Sequence, residues 1–356
     1  MLNKEKYDMV IGKVDTNKKA FIVAELSGNH GGDINKAYKL IKAAADASAD
    51  AVKLQTYTPD TITLNSNKSY FHTNINGLWA GKTLYQLYSE AYTPWSWHKE
   101  LKDYAESLGL EFFSTPFDIT SADYLEELGI PCYKISSFEI NDLYLIEHIA
   151  KKQKPILLSL GLAEEHEIWD AVNTIRYAGN NQICLLKCTS SYPASISDAN
   201  IIMIKDIKER FQVEAGISDH TLGYSVAVGA FCLGARVIEK HLVLDKNDNT
   251  VDAGFSMTPD EFHSMVKMIR EIELAYGCIN YTLSLSQKNQ LMDRRSLFTS
   301  KSIKKGEYFT EDNIKSVRPG YGISTKYYKE IIGKKAVCDI DYAEPLQDYM
   351  INWNDD

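Results

Sequence analysis

The sequence predicts an α/β chain: a (β/α)8, or TIM, barrel preceded by a short hairpin and followed by a small β-rich C-terminal domain. Three observations carry this. Between residue 21 and about 277, eight short apolar runs alternate with amphipathic stretches. The runs are near-continuously apolar, as parallel strands buried on both faces require. Eight strand–helix repeats in about 250 residues is the count of such a barrel. An open doubly wound sheet is the competing architecture, but no G-x-G-x-x-G follows any of the runs.

The elements follow in order. Residues 9–14, a turn at Asn17-Lys18 and Phe21 read as a small hairpin. Strands are expected at 21–26, 51–57, 111–115, 132–137, 155–160, 183–189, 213–218 and 236–244. Helical patterns fall at 34–48, 95–108, 142–152, 165–178, 221–233 and 258–276. The second connection, 58–93, is long and carries Gly77-Leu78-Trp79, Tyr85, Tyr88 and Tyr92. Disordered linkers are poor in aromatics, so it reads as a folded lid or dimer contact on the face where barrel active sites sit. After Gly277 the pattern breaks. The expected division is a barrel at 1–278, a polar linker at 279–293 and a β-rich domain at 294–356 with one short helical piece near 311–314.

Composition bounds the function. The 356 residues carry a formal net charge of -9, with 44% hydrophobic and 24% charged residues, which excludes a disordered chain. No apolar run reaches the ~18 residues of a membrane helix and no signal peptide is evident, so no membrane association is expected. The acidic balance argues against nucleic acid and leaves an anionic small molecule open. Six scattered cysteines show no zinc pattern and read as reduced core residues of a cytoplasmic protein.

Polar residues at barrel strand ends are the candidates for chemistry. They are Glu25, Ser27, Asn29 and His30; Lys53, Gln55 and Tyr57; Ser114 and Thr115; Lys134, Ser136, Ser137 and Glu139; Ser159; Lys187, Thr189, Ser190 and Tyr192; Ser218, Asp219 and His220; and Glu239, Lys240 and His241. Three lysines in one mouth, Lys53, Lys134 and Lys187, need anionic partners. Salt bridges to Glu25, Glu139, Asp219 and Glu239 would supply them. The ring of hydroxyls from Ser137, Ser159, Thr189, Ser190 and Ser218 favours a bound phosphate or carboxylate instead. His220 and His241 end adjacent strands, ~4.8 Å apart in any parallel sheet. That spacing leaves open a shared divalent metal and two ordinary satisfied histidines. A two-imidazole site without thiolate would suit a six-coordinate ion such as Mn2+, with Mg2+ or Co2+ as substitutes. Spacing does not decide the role of His30, and the remaining histidines read as structural or surface groups.

These strand ends resemble the sialic acid synthase family. The matching motifs are Ala24-Glu25-Leu26-Ser27-Gly28-Asn29-His30, Val52-Lys53-Leu54-Gln55-Thr56, Ser114-Thr115-Pro116-Phe117-Asp118, Tyr133-Lys134-Ile135-Ser136-Ser137-Phe138-Glu139, Lys187-Cys188-Thr189-Ser190-Ser191-Tyr192-Pro193, Ser218-Asp219-His220 and Glu239-Lys240-His241. In the tail, Arg295-Ser296-Leu297 and Arg318-Pro319-Gly320-Tyr321-Gly322 are similar to the family's antifreeze-like (SAF) domain. Residues 54–62, the 77–88 insertion and Thr93-Pro94-Trp95-Ser96-Trp97-His98 are most similar to members that use 2,4-diacetamido-2,4,6-trideoxy-L-altrose. Leu160 departs from the family's usual Thr, while the neighbouring Ser159 is kept.

The resemblance implies condensation of phosphoenolpyruvate with a deoxy diacetamido hexose, releasing phosphate by carbon–oxygen cleavage, for a nonulosonic acid of surface glycans. It assigns Lys53, Thr115, Lys134, Ser137, Ser159, Lys187, Ser190 and Ser218 to phosphoenolpyruvate. Mn2+ falls to His220 and His241. Glu25 and Glu139 become catalytic carboxylates, and Gln55, Tyr192 and Arg318 sugar contacts, the last in a domain-swapped homodimer. Other readings remain at this stage. They are a family member using N-acetylmannosamine or the legionaminic precursor, a metal-free Schiff-base aldolase, and a carbohydrate-binding protein whose tail domain is the reader.

Overall fold

In the computed structural model, residues 9–73 and 79–354 are described, and Gly77 and Leu78 of the aromatic insertion lie outside them. The chain divides into two compact units, Met1–Gly277 and Cys278–Asp356. The first opens with an antiparallel hairpin, β1 (Val10–Ile11) and β2 (Val14–Asp15), in which Ile11 faces Val14. Its turn falls at Gly12-Lys13 and not at Asn17-Lys18. Gly12 adopts a φ of +55°, and a side chain there would lie 2.2 Å from the Glu111 carboxyl carbon. The Lys13 amide donates to Glu111 Oε1 at 2.9 Å, seating the hairpin at the start of a barrel strand.

Eight parallel strands then close a barrel: β3 (Phe21–Glu25), β4 (Ala51–Thr56), β5 (Glu111–Pro116), β6 (Tyr133–Ile135), β7 (Ile156–Ser159), β8 (Ile183–Cys188), β9 (Glu214–Asp219) and β10 (Val237–His241), with β10 returning to β3. The helices in chain order are α1 (Ile34–Asp46), α2 (Pro59–Ile62), α3 (Leu84–Ala91), α4 (Trp95–Ser107), α5 (Ile119–Leu128), α6 (Leu143–Ala150), α7 (Glu165–Tyr177), α8 (Met203–Phe211), α9 (Ser225–Cys232) and α10 (Pro259–Tyr276). α2 and α3 fold the long 58–93 connection. The sequence reading did not delimit α5 or α8. Asp118 caps α5 by accepting from the Thr120 and Ser121 amides, and Gly129 ends it in the left-handed region. α8 buries Ile204, Ile207 and Phe211 on one face, at helical spacing.

Register sets the site. Glu25 pairs with both Lys53 and His241, Ser218 pairs with Glu239 and Cys188, and Gln55 pairs with Thr115. β3 and β9 are buried along their whole length, so their polar residues must find partners inside the protein.

The second unit has its own core, around Leu297, Phe309, Ile314, Ile331 and Leu346. The stretch expected as a linker holds α11 (Leu285–Asn289) and a 3-10 turn at Leu291–Asp293. β11 (Ser296–Thr299) pairs antiparallel with β12 (Ile314–Val317), and α12 (Tyr328–Ile331) follows. The helical piece expected near 311–314 is a turn running into β12. Asn313 accepts from the Thr310 amide and donates to the Tyr308 carbonyl, which satisfies that backbone without a helix. The six cysteines are free, but the expectation that all are core residues fails: Cys232 and Cys278 are exposed and Cys338 is partly so. Among the described residues, no helix is long and apolar enough to cross a membrane.

Candidate functional site

A cavity of about 290 Å³ opens at the C-terminal ends of the strands. Its floor is a chain of buried charges. Lys53 pairs with Glu25 and lies 3.5 Å from Glu239 Oε1, which in turn lies 3.9 Å from the Lys134 ammonium. Lys53 also donates to Thr115 Oγ1 at 3.2 Å, and Ser218 Oγ donates to Glu239 Oε1 at 3.1 Å. The Ser27 amide and Gln55 Nε2 donate to Glu25 Oε1 at 2.9 and 3.3 Å. Lys134 is less well supplied: among the described residues, Glu239 is the one carboxylate within 4.0 Å of it, at 3.9 Å. Ser159 Oγ, Glu239 Oε2 and His241 Nδ1 are buried without a hydrogen-bond partner among the described residues. Native interiors rarely leave such atoms unpaired, so this group marks where a ligand's polar atoms belong.

The charges respond to one another. Burial opposes the Lys53 charge, but Glu239 and Glu25 outweigh it and hold its pKa above the ordinary value. Burial dominates at Lys134, whose pKa is lowered. Burial raises Glu25, while Lys134 and Lys53 outweigh the same effect at Glu239 and keep it ionised. Glu139, which lines the cavity beside Ser136, is pushed up to about 7 by burial. A carboxyl near neutrality can carry a proton in either direction at physiological pH.

His220 and His241 stand at the rim with ring centroids 5.2 Å apart. His220 Nδ1 lies 3.2 Å from the Thr189 carbonyl, which can accept but not donate. Nδ1 therefore carries a proton. Burial opposes charge on this ring, but Cys188 and the Thr189 carbonyl outweigh it and raise its pKa. Burial and neighbouring cations hold His241 neutral, well below its ordinary pKa. Among the described residues, no group of three His, Cys, Asp or Glu side chains gathers to hold a metal. The donor set is thus two imidazoles without a thiolate, of which His220 would have to give up its extra proton to bind, and it fits an ion that completes its shell with oxygen ligands better than closed tetrahedral zinc.

Of the residues expected at the site, Lys53, Gln55, Thr115, Lys134, Ser137, Glu139, Ser159, Tyr192, Ser218, His220 and His241 line this cavity. Glu25 lies fully buried beneath it, behind Lys53. Lys187 does not join the other lysines. Its ammonium donates to the Cys188 carbonyl at 2.8 Å and Thr189 Oγ1 at 3.3 Å, in a separate narrow crevice with Ala199, Ile217 and Val226. Cys188 takes the inward place on β8. The expected surplus of three lysines is therefore two, interleaved with two carboxylates. Asp219 and Lys240 also leave the mouth, pairing with each other at 3.0 Å. Ser190 sits beside the cavity: a side chain at Gly161 would meet its hydroxyl at 2.1 Å and that of Ser137 at 2.8 Å, so only glycine leaves room. Arg318 is an exposed residue of the second unit. His30 is buried and satisfied, with Nε2 against Thr93 Oγ1 at 2.9 Å and Nδ1 accepting from the Gly32 amide at 3.1 Å. Neither nitrogen is left for a metal.

The sequence reading did not place Cys188, Asp252 or Phe255 at the site; it named Glu239 as a salt-bridge partner for the lysines, which it is for Lys53 and Lys134. Asp252 Oδ2 lies 3.6 Å from His241 Nδ1, and the Phe255 ring packs 4.9 Å from the His241 ring. Both come from the loop after β10, where no motif signals them.

Comparison with known proteins follows the same division. The NeuB family model matches residues 40–281, and the SAF domain model matches 294–352. The chain is 45% identical over 340 residues to the pseudaminic acid synthase of Campylobacter jejuni, covering 96% of this chain and 99% of that one. It is 47% identical over 327 residues to the pseudaminic acid synthase of Helicobacter pylori, covering 91% and 96%. Among solved structures, the N-acetylneuraminic acid synthetase of Leptospira borgpetersenii aligns with a TM-score of 0.71 at 30% identity, covering 80% of this chain and 95% of that one.

Proposed function

The chain belongs to the NeuB family and is an enzyme, and from that premise we propose that it condenses phosphoenolpyruvate with 2,4-diacetamido-2,4,6-trideoxy-L-altrose and water, giving pseudaminic acid and phosphate. The observation that carries the reading is the set of under-partnered buried groups around one cavity: the Lys134 ammonium, Ser159 Oγ and His241 Nδ1. An anion placed there would receive Lys134 and Ser159 directly, with Thr115 and Ser137 as further donors, Ser190 alongside, and Ser218 available once its hydroxyl turns from Glu239.

In this mechanism Lys53 and Lys134 hold the phosphate and carboxylate of phosphoenolpyruvate and fix its enol carbon toward the rim. Lys187 is too far committed to its own strand end to share in that. His220 and His241 would hold a divalent ion, Mn2+ ahead of Mg2+ or Co2+, which supplies Lewis-acid polarisation of the open-chain aldehyde. The enol carbon attacks that aldehyde, whose π pair moves onto its oxygen and takes a proton from solvent, and the new bond leaves cationic character at the former enol carbon. Glu25, pinned by Lys53, stabilises that cation from below. Glu139 takes a proton from the water that adds there. The carbon–oxygen bond of the tetrahedral intermediate then breaks and phosphate leaves. Gln55 and Tyr192 flank the hexose.

Arg318 as a contact to a substrate acetamido group, and the homodimer that would present it, belong to the same proposal and rest on family resemblance. Light scattering that gives a monomer at working concentration would remove that part. The whole reading is tested by phosphate release with phosphoenolpyruvate, Mn2+ and each candidate hexose. Release with the trideoxy altrose supports it. Product made only from N-acetylmannosamine or from the legionaminic precursor would refute the substrate choice, and no release with any hexose would refute the reaction.

A further inference from the structure

The 58–93 connection takes no part in the chemistry above, yet it builds one side of the cavity. Ile62 from α2, Leu87 and Tyr88 from α3, and Trp79 between them face the lysine floor. Trp79 is latched, its Nε1 donating to the Val251 carbonyl at 2.9 Å, and its ring lies 5.8 Å from that of Tyr192. Tyr88 is held 5.5 Å from Tyr57, which packs 5.1 Å from Phe117. α2 and α3 are tied together by Tyr85, which donates to Asp60 at 3.2 Å. The approach is tight at Gly28, where a side chain would meet Val251 at 2.7 Å and the Ala91 carbonyl at 3.0 Å. These side chains bring aromatic and aliphatic surface, one indole N–H already given to Val251, one phenol hydroxyl and no charge.

We infer that Ile62, Trp79, Leu87 and Tyr88 form the specificity wall for the hexose, receiving its methyl-bearing face and selecting a C6 methyl over a C6 hydroxymethyl. This rests on the synthase reading. The floor binds an anion and cannot distinguish hexoses that differ only at a methyl. The opposite wall can, because a hydroxyl turned against its aliphatic part, Ile62 and Leu87, loses water without gaining a partner. Pockets of this kind discriminate modestly, by about 10- to 100-fold for one such group.

The test compares kcat/KM for the trideoxy altrose with that for its C6-hydroxylated counterpart, in the wild-type enzyme, Ile62→Thr and Trp79→Phe. The wild type is expected to prefer the deoxy sugar by about 10- to 100-fold. Ile62→Thr, which adds a hydroxyl to the wall in a smaller side chain, is expected to cut that ratio several-fold. Trp79→Phe, which removes the latch, is expected to narrow it as well, with the KM for phosphoenolpyruvate unchanged in both. Near-ultraviolet circular dichroism matching the wild type shows that each variant is folded. Ile62→Val, of threonine's size without the hydroxyl, is the size control and is expected to retain the ratio, and Trp79→Phe carries the test should Ile62→Thr misfold. A wild type that turns over both sugars equally, or a ratio unmoved in folded Ile62→Thr and Trp79→Phe, overturns the wall while leaving the synthase reading intact. No phosphate release from any sugar brings down the reading and the wall together.

Discussion

Replacing Glu139 by Gln should remove a pH dependence of stability that its carboxyl creates. Burial raises this group from 4.5 to about 7. In the unfolded chain it ionises near 4.5, while the folded protein keeps it protonated until about 7. Between those values the folded state binds more protons than the unfolded state, so stability falls as pH rises through the window and levels off above it. The full shift would be worth about 3 kcal/mol. The carboxyl is partly exposed to the cavity, so screening reduces this to about 1–2 kcal/mol. Glutamine keeps an acceptor for the Ser136 hydroxyl, so the fold should survive. Denaturant unfolding at pH 5, 6, 7 and 8 measures the effect. The stability of the wild type relative to the variant should drop by about 1–2 kcal/mol from pH 5 to 8, because the other buried carboxyls cancel in the difference. Curves that stay parallel within about 0.5 kcal/mol across the range would refute the argument. In kinetics, the same variant should lose about 100-fold in kcat/KM if Glu139 moves the proton of the adding water.

Three further outcomes follow from the site. His220→Ala and His241→Ala should abolish turnover with little change in melting temperature, and full activity of either in chelator-treated buffer would remove the metal role. Lys134→Ala should lower kcat/KM for phosphoenolpyruvate by about 100-fold, whereas Lys187→Ala should change it by less than about 3-fold; equal losses would show the two ammoniums are equivalent after all. Lys240→Met strands the buried Asp219, whose side chain is 2% exposed, and should cost about 3–5 kcal/mol in denaturant unfolding. Adding Asp219→Asn removes the stranded charge and should restore most of that loss; a double variant as unstable as the single one contradicts the assignment.

Much of the site was legible from residue types alone. Glu25, Lys53, Lys134, Ser159, Ser218, His220 and His241 stand at strand ends, and strand ends are where a barrel places chemistry. The helices framing them were read from apolar spacing, and the failure at 311–314 came where a single side chain satisfied the turn. Amphipathic spacing in α8 was equally present in the sequence, though it went undelimited.

The sequence by itself determined the barrel, the two-part organisation and the kinds of group at the mouth, because these depend on local periodicity and on which residues end each run. Only the tertiary structure decided which of two neighbouring residues points inward. Parallel strands buried on both faces show no apolar–polar alternation, so nothing local separates Cys188 from Lys187 or Glu239 from Lys240. Register separates them: Cys188 and Glu239 both pair with Ser218 and face the cavity, while Lys187 and Lys240 turn outward. Side chains alternate from one residue to the next along a strand, so that choice removes a positive charge from the mouth at 187–188 and reverses its sign at 239–240. The same holds for Asp252 and Phe255, which line the cavity from the loop after β10 and carry no local signal of doing so.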